Sequence, residues 1–167
     1  MRKLLGLLAA LTLLLAACGG SSSGGNLNAA EQAKADEIAA QLMADTTSGN
    51  PFTDETAAKC FADGIVSQLG LDRINALDTG GAVEDSFANM TSAEQETVAD
   101  VALGCINFQQ IIQDEMTQAG LSSDQATCVA NGLNNDLLKQ LFLAQIRGED
   151  PTSNADLVSV VTGCLMG

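Results

Sequence analysis

The chain has no histidine, no tryptophan and no tyrosine, only five phenylalanines, and seven basic residues against 21 acidic ones. Without His it lacks the commonest general base at neutral pH and the commonest metal ligand. Without Trp and Tyr it lacks the usual stacking platforms for bases and sugars and the usual anchors of tight protein interfaces. The acidic excess repels nucleic-acid phosphates and anionic lipid headgroups, so no nucleic-acid partner is expected. Nucleophile arrangements fail as well: there is no Gly-x-Ser-x-Gly, no Ser-x-x-Lys, and no His to activate a serine or cysteine. Paired carboxylates can serve a glycosidase, but a chain this acidic supplies pairs by number alone. No catalytic residue and no cofactor is assigned, and the chain reads as a non-enzyme. No Cys-x-x-Cys occurs, which leaves no metal-ligand spacing. The glycine-bearing acidic stretch Asp78-Thr79-Gly80-Gly81-Ala82-Val83-Glu84-Asp85 lacks the alternating ligand order of an EF-hand and reads as a solvated loop. The run of residues 4–15 falls short of the roughly 20 apolar residues that cross a bilayer.

What the chain does have begins at its start. Met1-Arg2-Lys3, the apolar run and the small residues after it match the three zones of a secretory signal peptide. An ordinary cut after Ala17 would put bulky Leu15 where a small residue is preferred. Leu15-Ala16-Ala17-Cys18 instead resembles the lipobox of bacterial lipoproteins. That resemblance implies removal of residues 1–17, a diacylglycerol on the Cys18 thiol and an acyl chain on its new amine. It places the protein on the extracytoplasmic face of a bacterial membrane. One acyl chain binds a bilayer marginally and two signals hold stably, so this anchor would be permanent. Loss of Arg2 and Lys3 would move the net charge from −14 to −16. The lipidated Cys and a Gly/Ser tether make up residues 18–28, and residues 19–25 span on the order of 15 Å r.m.s. as flexible coil.

The remainder reads as all-α, with no sustained period-two alternation. Residues 29–50 hold an N-terminal helix and a turn; Ala35, Ile38, Ala39, Leu42 and Met43 give it a weakly apolar face, and it serves either as a packed element or as a stalk. A helix from Thr53 lines Ala57, Cys60, Phe61, Gly64, Ile65 and Leu69 on one face and stops at Gly70. A short helix follows over residues 71–77. Ser92-Ala93-Glu94-Gln95 reads as a capping box opening a helix that buries Val98, Val101, Ala102, Cys105 and Ile106. Asn107 opens another, with Phe108, Ile111, Ile112 and Met116 on one face. Ser122-Ser123-Asp124-Gln125 caps a helix holding Cys128, Val129, Gly132, Leu133, Leu137 and Leu141, and a final helix carries Leu157, Val160, Val161, Cys164 and Leu165.

Two stretches repeat. Ala58-Lys59-Cys60-Phe61-Ala62-Asp63-Gly64 and Ala126-Thr127-Cys128-Val129-Ala130-Asn131-Gly132 both read Ala-x-Cys-x-Ala-Asx-Gly, and Gly104-Cys105-Ile106 matches Gly163-Cys164-Leu165. The chain therefore divides into two related helical units, residues 52–120 with a connecting helix and residues 121–167. Outside Cys18, four cysteines remain, with three possible pairings. In an exported chain disulfides are the natural reading, against reduced core cysteines as the alternative. The repeat favours Cys60–Cys105 and Cys128–Cys164, each worth about 4 kcal/mol in the chain-entropy model before strain. Thr53-Asp54 through Cys60-Phe61-Ala62-Asp63-Gly64, closed by Cys105, resembles a loose group of small secreted or lipid-anchored actinobacterial proteins, to which no activity attaches. The expected architecture is a compact bundle of two disulfide-braced units behind a leader and tether. The expected role is non-catalytic interaction with an envelope component. The alternative is a tethered carrier of an apolar ligand or lipid held between helices.

Overall fold

The computed structural model describes residues 26–45, 50–77, 86–87 and 89–166. The leader, Cys18, the tether up to residue 25, part of the turn after the first helix and the acidic loop 78–85 lie outside the described residues. The architecture is all-α. In chain order it comprises α1 (Ala29–Ala44), α2 (Glu55–Leu69), α3 (Leu71–Leu77), α4 (Ser92–Cys105), α5 (Phe108–Gln118), α6 (Ser123–Gly132) and α7 (Asn135–Ile146). A 3-10 turn at Pro151–Ser153 then leads into α8 (Ala155–Met166), and no strand occurs among the described residues.

The first helix packs on the domain. Asn28 begins it as a capping box: its side-chain oxygen accepts from the N–H groups of Ala30 and Glu31, and the Glu31 carboxylate accepts from Asn28 N–H at 2.8 Å. At the other end the Asn50 amide donates to the carbonyls of Leu42 and Asp45, satisfying acceptors that a helix end leaves open. The weak apolar face is sufficient because it is made of small residues. Ala35 and Ala39 are buried in the same cluster as Ala58 and Ala62 of α2, where side chains of this size let two helices approach closely. Phe52 closes the base of the pair against Phe61, ring centroids 4.9 Å apart.

Gly70 separates α2 from α3, taking a positive φ of 80° while its N–H still donates to Val66. Helix α4 starts one residue earlier in its cap than the Ser92 pattern suggests. Thr91 is the N-cap and Glu94 its partner: the Thr91 hydroxyl accepts from Glu94 N–H, and the Glu94 carboxylate accepts from Thr91 N–H at 2.7 Å. Glu94 wins the role because Arg73 of α3 also grips it, with Nε to Oε1 at 2.6 Å and Nη2 to Oε2 at 2.9 Å. Gln95 is freed to turn inward, where it is buried.

The helix expected from Cys128 through Leu141 is two helices. Asn134 breaks it by taking an extended backbone and accepting from Leu137 N–H, so that α6 ends at Gly132 and α7 begins at Asn135. The bend lets Leu133, Leu137 and Leu138 converge with Val129 in one cluster. The other cluster gathers Phe61, Ile65, Val66, Ile74, Val98, Ala102 and Ile106 around the alanines of α1 and α2. Phe108, the first residue of α5, packs against both clusters. Helices α4 and α7 run antiparallel between them. Asp100 pairs with Lys139 at 2.7 Å, and further along Gln95 Oε1 accepts from Arg147 Nε at 3.2 Å.

Candidate functional site

Cys60 is bonded to Cys105, with Cα atoms 5.6 Å apart, and Cys128 to Cys164, with Cα atoms 5.7 Å apart. Both separations are ordinary for disulfides. Each bridge joins the first helix of a unit to a later one running the other way, α2 to α4 and α6 to α8. One turn from each bridge the same second contact recurs. A methyl group added at Gly64 would come within 2.5 Å of Val101 Cγ1, and one added at Gly132 would meet Val160 Cγ1 as closely. Each unit therefore holds a cysteine and a glycine four residues on, facing a valine and a cysteine four residues on. The sulfur bridge and the glycine notch fix the crossing together. Cys18 lies outside the described residues.

The equivalence stops at burial. Helices α2 and α4 are deeply embedded, with Ala58, Ala62, Val66, Ala99 and Ala102 wholly inaccessible. Helix α8 has no fully buried residue. Its Leu157, Val160, Val161 and Cys164 rest half-buried on the second cluster. Cys128 is exposed, where the helical pattern placed it facing inward. Cys128 therefore lies on the outward side of α6, bonded to a half-buried Cys164.

The outer face of α8 is unusual for so acidic a chain. Val158 is 51% exposed, Leu165 45% and Met166 78%, and they share this face with Ala155, Ser159, Thr162 and Gly163. Leu165, unlike the half-buried Leu157 and Cys164, faces outward. Asp156, in the first turn, is the one acidic residue of the helix. Beside it, Asp136, Gln140, Asn134 and Ser159 line a shallow open depression of about 360 Å³ between α7 and α8. A second depression of the same volume lies where α4, α5 and α7 meet, lined by Gly104, Asn107, Gln109 and Asn135 among others. Both have polar walls and lie open to solvent.

Charge is arranged for structure. Glu94 is held down to about 2 by the Arg73 guanidinium, by the Thr91 N–H and hydroxyl, and by Arg73's charge, against some desolvation. Lys139 is raised by its hydrogen bond to Asp100, and Asp150 is lowered by the Thr152 hydroxyl and N–H. These groups pin α3 to α4, α7 to α4, and the turn before α8. Among the described residues no three His, Cys, Asp or Glu side chains are placed to share a metal ion. No helix among them is long and apolar enough to cross a membrane. Comparison with known proteins gives no match: no family model, no curated protein and no solved structure is similar to this chain.

Sequence reasoning missed the outer face of α8. The signal was present in Ala155–Met166, where apolar residues fall on both sides of the helix wheel. Such a helix has more apolar surface than one cluster can cover.

Proposed function

We propose that this protein is a lipid-anchored component of a bacterial envelope. In this reading Cys18 carries the acyl chains and the helical domain acts without catalysis, by binding another envelope protein through the outer face of α8. The observation that carries the interaction is that face: Val158, Leu165 and Met166 stand in solvent on a helix with one carboxylate, in a chain whose net charge is −14. Exposed apolar residues grouped on one element mark contact surfaces more often than scattered ones do. A partner of matching chemistry presents an uncharged apolar helix or groove, because an acidic surface would be repelled by the rest of the domain. The anchor keeps the search short, since a tether of this length holds the domain within tens of ångströms of the membrane. The carrier reading calls for an apolar cavity between helices, and the two depressions, open and polar-walled, lend it no support.

The test places a photoreactive amino acid at Val158 in the full chain and irradiates intact bacteria. The expected result is a discrete protein adduct that disappears when Leu165→Asp and Met166→Asp are added, while Cys18→Ser either leaves residues 1–17 uncut or shifts the protein from the detergent phase to the aqueous phase. Crosslinking to lipid alone, or an adduct indifferent to the aspartates, would overturn the interaction. Cys18→Ser protein that loses residues 1–17 as the wild type does and still stays in the detergent phase would overturn the anchor.

A further inference from the structure

The two disulfides are equivalent by repeat and unequal by surroundings, and that inequality has a chemical consequence. The Cys60–Cys105 bridge joins α2 and α4, helices whose inner faces are locked by Phe61, Ala62, Ile65, Val66, Val98 and Ala102. Breaking it would leave those contacts in place. The Cys128–Cys164 bridge joins α6 to a helix that buries no residue fully, and Cys128 itself is exposed. A thiolate arriving from solvent meets an exposed cysteine there, while Cys60 and Cys105 are both half-buried, and access limits attack on a more enclosed bridge.

We propose that Cys128–Cys164 is a site of thiol–disulfide exchange and that its reduction releases α8. This inference is independent of the docking role proposed for the outer face of that helix. The co-reactant is a dithiol. One of its thiolates attacks Cys128 Sγ, forming a mixed disulfide as the bond to Cys164 breaks and Cys164 leaves as a thiolate that takes up a proton. The second thiol of the reductant then attacks its own sulfur in the mixed disulfide and releases the Cys128 thiolate, which is protonated in turn. The dithiol is oxidised to a disulfide by two electrons and the protein gains two thiols. With the bridge gone, α8 keeps only the half-buried contacts of Leu157, Val160 and Val161, and Val160 can leave the notch at Gly132. Its departure uncovers Val129, Leu133 and Leu137, an apolar surface that the oxidised form hides. Local opening with a low free energy belongs to elements that have few buried apolar contacts, as α8 has.

The experiment uses the full chain carrying Cys18→Ser, so that the four bridging cysteines are the only ones present. It is titrated with dithiothreitol under native conditions, quenched with N-ethylmaleimide and read by intact mass and peptide mapping. The expected first product carries two alkylations, on Cys128 and Cys164, formed at least tenfold faster than any on Cys60 and Cys105. In that product, hydrogen exchange should show protection lost over residues 155–166 and kept over residues 92–105. Reduction of both bridges together, reduction of Cys60–Cys105 first, or retained protection over 155–166 would each overturn the proposal. The Cys128→Ser/Cys164→Ser variant gives an independent reading. If it folds with α8 protected the release fails, and if it does not fold the order of reduction in the bridged chain decides.

Discussion

At the scale of single residues, the crossing of each helix pair depends on a missing side chain. Gly64 and Gly132 sit in helices, where Gly costs roughly 1 kcal/mol relative to Ala, so a glycine kept there has a local reason. The reason is Val101 in one unit and Val160 in the other. Valine is stiff at χ1 and cannot swing aside cheaply, so Gly64→Ala should cost about 1–2 kcal/mol net, overpacking outweighing the gain in helix propensity. The cost at Gly132 should be smaller, because α8, though bridged to α6, buries no residue fully and can shift by a few tenths of an ångström about the bridge. Urea denaturation of Gly64→Ala, Val101→Ala and the double variant tests this. The double variant should recover most of what Gly64→Ala loses, and strict additivity would rule the notch out. The glycines were legible in sequence through the two Ala-x-Cys-x-Ala-Asx-Gly stretches, and so was the choice of cysteine partners. That Val-x-x-Gly-Cys recurs at Val101 and Val160 was also present, but a valine's partner is set by tertiary packing, which a linear pattern does not contain. The exposure of Cys128 was illegible for the same reason.

At the scale of elements, most helices announced themselves by period and cap, and the errors fell at their ends. Helix α6 ends on Gly132 and Asn134 caps α7, but Asn131-Gly132 and Asn134-Asn135 are interleaved with Val129, Leu133 and Leu137, whose helical spacing runs straight across the break. The start of α4 was misplaced by one residue because Thr91-x-x-Glu94 and Ser92-x-x-Gln95 are equally good capping boxes on paper. Arg73, 21 positions before Glu94, decides between them. That choice carries a pH signature. Glu94 titrates near 2 in the folded chain, below the ordinary 4.5, chiefly because Arg73 donates to it. As pH falls the unfolded chain binds this proton first, so the contribution is full above about 4.5 and is lost progressively down to about 2. Glu94→Gln keeps a capping oxygen and removes the charge. Its melting temperature should lie below that of the wild type at pH 7, with the gap closing as pH falls from 4.5 to 2. A gap of constant size across that range would show that the charge of Glu94 does not stabilise the fold.

At the scale of the molecule, two units were readable from the repeat, while the way they dock was not. The joint is built from residues without a counterpart in the repeat. Lys139 reaches Asp100, Arg147 reaches Gln95, and Phe108 sits between the clusters with its ring 6.3 Å from that of Phe142. The polar ties are partly exposed and contribute little each, so the coupling between halves rests on Phe108 and its neighbours. Full burial of a Phe is worth 3–5 kcal/mol on truncation to Ala. For a half-buried ring, Phe108→Ala should cost about 2 kcal/mol, and the distribution of that loss is the informative part. Each half retains its own disulfide, so the variant should lose joint unfolding before either half loses its fold. Native-state hydrogen exchange across a denaturant series follows the two halves separately. In the wild type, α2 and α4 should open in one step with α6 and α7. In Phe108→Ala the α6–α7 half, whose cluster has fewer buried residues, should open at lower denaturant than α2 and α4. Equal loss in both halves would mean that Phe108 supports stability without joining them, and that the joint lies in the α4–α7 contact alone.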